Sequence, residues 1–171
     1  MEGGTRTYIF GSIESDGIMK YIHYGSDKFS TDMFNKATGE AYGTGLKPCG
    51  GLWGCPLDTK NNWHDWCLGN NFRTERLDKH FIFEVKDDAK ILKLHTIDDL
   101  DALKPYAAMI KNRSEWMPLE VMSVNFIKLI QDGWDGIEVY IHDEQMYFAM
   151  YGWDVDSIVV FNSNCLIFEE E

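Results

Sequence analysis

The sequence predicts a single α+β domain, because strand-like segments gather toward both ends of the chain and helix-like segments lie between them. The length of 171 residues is typical of one domain, and a hydrophobic content of 44% is sufficient for a buried core. Strands and helices do not alternate regularly, and no internal repeat or linker is visible. We expect two small antiparallel or mixed sheets that form a cleft, with helices beside them.

Two strands are predicted near the amino terminus, over residues 5–13 and 18–25, with a turn between them. In the second strand, the alternation of side chains places His23 and Tyr24 on opposite faces. Residues 1–18 either belong to the domain or form an extension that precedes it.

Helical periodicity and capping residues predict four helices, at 31–37, from Asn61 to Leu68, from Ile97 to just before Pro105, and from Pro118 to about Gln131. An asparagine begins the second helix and Gly69 ends it. Period-two alternation predicts a hairpin of residues 80–86 and 89–95, followed by strands at 136–142, 145–151, 157–162 and 165–168.

The composition restricts the class of function. A net charge of −12 argues against direct nucleic-acid binding and against binding to anionic membranes, and it suits a protein partner with a basic surface. No apolar stretch approaches the roughly 20 residues that span a bilayer, and no secretion signal is visible. The four cysteines match no standard zinc spacing, so we expect free thiols and no metal site. We also expect a cytoplasmic protein, which would lie in the host cytoplasm if a phage encodes it.

The glycine-rich segment from Lys47 to Pro56 (K-P-C-G-G-L-W-G-C-P) is the most informative part of the chain. Its glycines allow close backbone approach, and its proline fixes the direction in which the chain leaves the loop. Such a loop, leading into a short apolar strand, is a suitable wall for a flat ligand. The dinucleotide-binding pattern G-x-G-x-x-G and the phosphate-binding pattern G-x-x-x-x-G-K-[ST] are both absent from the sequence.

Four short motifs, in their order along the chain, resemble the ADP-ribosyltransferase family. They are Y-G-S at 24–26, G-G-L-W at 50–53, G-W-D-G-I-E-V at 133–139 and D-S-I-V-V-F-N at 156–162. The resemblance covers residues 19–168. It implies a cleft that binds NAD as a substrate, transfer of ADP-ribose to an unknown acceptor, release of nicotinamide, and no metal. The chain also resembles uncharacterised bacterial and phage proteins that share K-P-x-G-G-L-W and Y-G-W-D.

The first two motifs supply the implied ligand contacts. The resemblance places Tyr24 at the family's histidine position, so either Tyr24 or the adjacent His23 would orient the ribose. The backbone of Gly25, next to Ser26, would bind the nicotinamide amide. Trp53 would stack on the nicotinamide ring, because an indole presents a broad flat face.

Other residues complete the expected site. Gly51 and Leu52 lie in the loop that would form the wall, and Trp63 is either a further aromatic contact or part of the core. Lys47 and Arg73 are candidate contacts for the pyrophosphate.

The resemblance maps the family's acidic residue to Asp156 or, with a shift of one residue, to Ser157. Asp154 lies nearby, and Glu138 is a reserve acid. The carboxylate of the acidic residue would stabilise the positive charge that develops on the ribose. The alternatives are that both aspartates are turn residues and that His23 is a structural histidine.

Two other functions remain open. One is a non-catalytic acidic binding or inhibitor protein on the same scaffold, encoded by a phage or mobile element. The other is an RNA 2′-phosphotransferase-like enzyme, which the lack of a basic patch disfavours.

Overall fold

A mixed seven-stranded sheet organises the part of the chain that the computed structural model describes, which is residues 19–31, 41–42, 46–111 and 120–168. The strands are β1 (Lys20–Tyr24), β2 (Ala41–Tyr42), β3 (Lys47–Pro48), β4 (Leu52–Pro56), β5 (His80–Val85), β6 (Ile91–Leu94), β7 (Ala107–Lys111), β8 (Glu120–Val124), β9 (Gly136–Val139), β10 (Ser157–Val160) and β11 (Leu166–Ile167). The α-helices are α1 (Trp63–Asn70), α2 (Phe126–Gln131) and α3 (Glu144–Ala149), and 3₁₀ helices lie at Thr74–Arg76, Ile97–Tyr106 and Ser163–Cys165.

The strands of the large sheet follow the spatial order β11-β5-β1-β4-β10-β9-β6. Neighbouring strands are antiparallel except for β6 and β9, which are parallel. Two separate two-stranded ribbons join β2 to β3 and β7 to β8. The α+β class is therefore confirmed, but the described strands form one large sheet with two small ribbons rather than two small sheets.

Apolar layers cover both faces of the sheet, and the central strand β10 contributes to each of them. Val159 belongs to the first layer, which contains the largest buried side chains of α2 and α3. Ile158 and Val160 belong to the second layer, together with Tyr21 and Phe83. All four residues of β10 (S-I-V-V) are buried, and three of them in succession are apolar, because a strand that is covered on both faces has no solvent side.

Helix α1 shows how local sequence sets an element. Its N-cap is Asn62, whose side chain accepts a hydrogen bond from the backbone N–H of Asp65. The predicted asparagine cap is confirmed. The predicted end at Gly69 is wrong, because the helix continues to Asn70 and closes at Asn71, which adopts the left-handed conformation with φ of 51°.

Two elements in the carboxyl-terminal half of the chain differ from the sequence prediction. The predicted strand over 145–151 is helix α3, which begins after the N-cap Asp143 and buries Met146 on its inner face. The predicted long helix from Pro118 is wrong in its first half, because Val124 ends a strand paired with β7. Asn125 then caps the shorter helix α2.

The predicted hairpin of residues 80–86 and 89–95 is also wrong. Both strands exist, but β5 pairs with β1 and β11, whereas β6 pairs in parallel with β9. The alternation of apolar and polar side chains indicates a strand and its buried face, but it does not indicate which other strand pairs with it. The predicted strand at 5–13 and all but the first residue of the predicted helix at 31–37 lie outside the described residues.

Gly54, in the middle of β4, allows an aromatic ring to cross the strand. A Cβ at this position would lie 2.7 Å from two ring atoms of Phe83, which is fully buried in the second layer. We expect Gly54→Ala to lower the free energy of unfolding by about 1–3 kcal/mol, since the ring has no free space to occupy. Urea denaturation measures the change.

Gly69→Ala is the matched control, because a Cβ there meets no atom within 4 Å and the residue lies inside helix α1. We expect this control to be neutral or to stabilise the protein by up to about 1 kcal/mol. Equal effects of the two substitutions would contradict the packing explanation.

Candidate functional site

The large sheet opens between its two central strands β1 and β4. Their backbone pairing extends only as far as Ile22 and Cys55. Beyond that point β1 stays paired with β5 as far as Tyr24, and β4 stays paired with β10 as far as Leu52. Backbone pairing between the two strands therefore stops there while each strand remains paired on its outer side, and we name the region between their ends the cleft.

His23 bridges the start of this cleft. Its Nδ1 lies 2.7 Å from the backbone oxygen of Trp53 and donates to it, since a carbonyl can only accept. Its ring lies 4.9 Å from the ring of Phe81. Burial lowers the pKa of His23, and the hydrogen bond to the carbonyl opposes this effect. The histidine thus replaces the missing backbone contact between the strands.

Tyr24 and Gly25 form one wall of the cleft. The ring of Tyr24 lies 5.8 Å from that of His64 on α1, and burial raises the pKa of its hydroxyl. Gly25 has φ of 112° and donates its N–H to the oxygen of Lys79 at 2.7 Å. No atom lies within 4 Å of the position that a Cβ of Gly25 would occupy, so its surroundings are open. Half-buried Ser26 follows directly.

The opposite wall contains the glycine-rich loop. Gly51 has φ of 79°, and a Cβ there would lie 2.7 Å from a methyl group of Val159. Gly51 and the buried Leu52 therefore pack against β10, and the tight contact leaves Gly51 no room for a side chain. Close packing explains the need for this glycine, whereas Gly25 has open space beside it.

Trp53 connects this wall to a charged pair. The Lys47 Nζ lies 5.4 Å from the centre of the Trp53 ring and 3.7 Å from the carboxylate of Asp154. Burial lowers the pKa of Lys47, and Asp154 opposes this effect. The Trp53 ring also lies 4.9 Å from that of Trp153. Of the two predicted aspartates, Asp154 is thus the one that lies close to Trp53.

Asp156 lies at the other end of the sheet. It precedes the first residue of β10, so it lies about 13 Å along the strand from Val160, which pairs with Leu52, at roughly 3.3 Å per residue. Its carboxylate accepts hydrogen bonds from the Thr59 hydroxyl at 2.5 Å, the Ile141 N–H at 2.7 Å and the Asn61 amide at 3.3 Å. The structure does not bring Asp156 to the cleft, and its carboxylate connects two loops instead.

The remaining predicted residues lie around α1. The rings of Trp63 and Trp66 stack 5.0 Å apart, and Phe72 packs on the edge of both. The guanidinium of Arg73 lies 5.0 Å from the Phe72 ring. Trp63 therefore belongs to a self-packed aromatic cluster, and the contacts of Arg73 place it beside that cluster rather than beside Lys47.

A buried network of hydrogen bonds surrounds Glu138, which the sequence indicated only as a reserve acid. Glu138 on β9 has no exposed surface and accepts from the Tyr21 hydroxyl at 2.7 Å. Its second oxygen lies 2.7 Å from Nε2 of His95, whose ring stacks 3.9 Å from that of Tyr140. Burial, reinforced by Glu138, raises the pKa of both tyrosines. A polar residue in an otherwise apolar strand (G-I-E-V) is the sequence pattern that could have indicated this network.

Comparison with models of known protein families, with curated proteins and with solved structures gives no match for this chain. Among the residues that the structure describes, no group of three or more histidine, cysteine, aspartate or glutamate side chains is arranged to hold a metal ion. No helix in the described ranges is long and apolar enough to cross a membrane. The site is therefore interpreted from its own geometry.

Replacing Asp156 and replacing Asp154 should lower the free energy of unfolding by different amounts. We expect Asp156→Ala to lower the free energy of unfolding by about 1–3 kcal/mol, because it leaves the buried Ile141 N–H without its acceptor. Asp154→Ala removes a partly exposed ion pair and should change stability by less than about 1 kcal/mol. Chemical denaturation of both variants checks this, and similar losses would contradict the assignment of Asp156 as the structural carboxylate.

His23 should make stability depend on pH. Because its pKa is lower in the folded protein, the unfolded chain binds the proton more readily. Its contribution to stability is therefore present above about pH 6.5 and is lost as the pH falls below the pKa of an unfolded histidine. We expect the difference in unfolding free energy between wild type and His23→Asn to be larger at pH 7.5 than at pH 5. A difference that does not change with pH would rule out this role.

Proposed function

We propose that the cleft between β1 and β4 binds NAD and that the protein is an ADP-ribosyltransferase-like enzyme. The observation that carries the proposal is the end of the β1–β4 pairing, because it opens the sheet where the Y-G-S and G-G-L-W segments face each other. The other two motifs lie on β10 and β9, so all four motif-bearing strands are consecutive neighbours in the order β1-β4-β10-β9. A ligand at such an opening would contact backbone groups that no neighbouring strand occupies.

The contacts around the cleft suggest a role for each residue. The open surroundings of Gly25 leave room for the nicotinamide amide to approach the backbone. Trp53 would stack on the nicotinamide ring, and Tyr24 would contact the ribose, because His23 is already committed to a backbone carbonyl. Lys47 would attract the pyrophosphate, and Asp154 would lie close to the reacting ribose.

The proposed reaction breaks the bond between the ribose C1′ and the ring nitrogen of nicotinamide. The bonding electron pair leaves with nicotinamide, which departs as a neutral molecule, and positive charge develops on the ribose. The Asp154 carboxylate would stabilise this charge. A nucleophilic atom of the acceptor then bonds to C1′ and loses its proton to solvent. NAD is abundant in the cytoplasm, which is the compartment that this proposal requires.

A second candidate is a non-catalytic binding protein on the same scaffold. The observation that favours it is that neither aspartate near the last motif is unpartnered, because Asp154 pairs with Lys47 and Asp156 accepts three hydrogen bonds. In this case NAD or a related nucleotide would bind without turnover, or the protein would act only through a protein partner.

Two single substitutions test the enzyme proposal. We expect Asp154→Asn to reduce nicotinamide release from NAD at least about 100-fold, because it removes the charge that stabilises the transition state while keeping the shape of the side chain. We expect Tyr24→Ala to abolish the rise in melting temperature that NAD produces in wild type. Chromatography measures the release, and a thermal-shift titration measures the binding.

Tyr147→Ala is the control, since this exposed tyrosine lies on α3. It should bind and cleave NAD as wild type does. Thermal stabilisation by NAD without nicotinamide release would favour the binding protein. The absence of both effects in wild type would overturn the proposal that the cleft is an NAD site.

A further inference from the structure

Helix α3 carries an unusual outward face. Its inner side buries Met146, and the C-cap Met150, four residues further on, is buried as well, which is the spacing of one apolar helix face. The opposite face should therefore be polar. Instead, Phe148 is 73% exposed and Tyr151, in the turn after the helix, is 56% exposed.

Tyr147 adds a third aromatic side chain to this face, with its ring 5.8 Å from that of Phe148. We name Tyr147, Phe148 and Tyr151 the α3 patch. Three large aromatic side chains exposed within five residues present a concentrated apolar surface to water. Aromatic residues of this kind are the anchors that dominate protein–protein binding energies.

Acidic side chains lie beside the patch. Exposed Glu144 belongs to α3, and Asp143 is its N-cap. The 3₁₀ helix at Ile97–Tyr106 packs against α3 and exposes Asp98. The whole chain carries a net charge of −12, so the long-range field has the same sign as these residues.

We propose that the α3 patch is a docking surface for a protein segment whose apolar side chains are flanked by lysine or arginine. The aromatic side chains would provide the buried centre of the contact, and the carboxylates around them would attract and orient the basic residues. A nucleic acid or an anionic membrane is excluded by the same carboxylates, which repel phosphate groups. This inference does not depend on the NAD site.

The test uses a fluorescent amphipathic peptide of leucine and lysine, with a leucine–glutamate peptide of the same spacing as a second probe. Fluorescence anisotropy against the full chain measures each dissociation constant. We expect the basic peptide to bind and the acidic peptide not to bind. We expect the affinity for the basic peptide to fall as the salt concentration rises from about 50 to about 300 mM, because salt screens the carboxylates.

The α3 patch is altered with Phe148→Ser and Tyr151→Ser, each of which should weaken binding of the basic peptide at least about tenfold. Leu68→Ser is the matched control, because Leu68 on α1 is as exposed as Tyr151 but lies outside the patch. Glu144→Gln should weaken binding less and should reduce its dependence on salt. Melting temperatures equal to that of wild type would show that the variants are folded.

Equal affinity of wild type and Phe148→Ser for the basic peptide would overturn the proposal. So would a wild-type dimer in sedimentation that Phe148→Ser converts to a monomer, without any binding of the basic peptide. The patch would then be a contact between two copies of this chain. Binding of both peptides with equal affinity would show a nonspecific apolar surface and would also overturn it.

Discussion

The end of the backbone pairing between β1 and β4 is the constraint on which the rest of the structure depends. A sheet whose central strands part would normally leave unpaired backbone groups in the interior, and each would carry a free-energy cost. Here the His23 imidazole donates to the Trp53 carbonyl at the point where the strands separate. Because β5 and β10 hold the outer sides of the two strands, the opening is a fixed feature of the sheet.

A buried polar network crosses the sheet next to the point where this pairing ends, because Glu138 is in register with Ile158 and, through it, with Gly54. The Tyr21 hydroxyl crosses β4 and β10 to reach Glu138 on β9, and Gly54 leaves the second layer space for the aromatic side chains above β4. His95 completes the network from the end of β6. Removing one partner of a buried, hydrogen-bonded carboxylate is costly, so this network ties β1 to β9 beside the opening.

Sequence reasoning could place the motif-bearing strands but not every side chain on them. Tyr24 ends β1 and Trp53 lies near the start of β4, on the side where the pairing of these two strands stops, whereas the sequence supplied only the order of the motifs. The position of Asp156 could not be predicted in this way, because it depends on hydrogen bonds to Thr59 and Ile141, which are distant in sequence. Helix α3 was missed for a related reason: a six-residue segment with two aromatic side chains suits a strand by propensity, whereas the N-cap Asp143 and the burial of Met146 favour a helix.

The two aspartates also show why proximity in sequence is a poor guide to chemical role. Asp156 accepts hydrogen bonds from three neutral donors, so its carboxylate cannot turn toward a ligand without leaving a buried N–H unsatisfied. Asp154 pairs with Lys47, and this cation on a flexible side chain could be recruited by an anionic ligand. Binding of a pyrophosphate by Lys47 would weaken its hold on Asp154 and release the carboxylate beside Trp53. Of the two aspartates, Asp154 is therefore the one whose carboxylate could turn toward a ligand beside Trp53, whereas the hydrogen bonds of Asp156 give it a structural role.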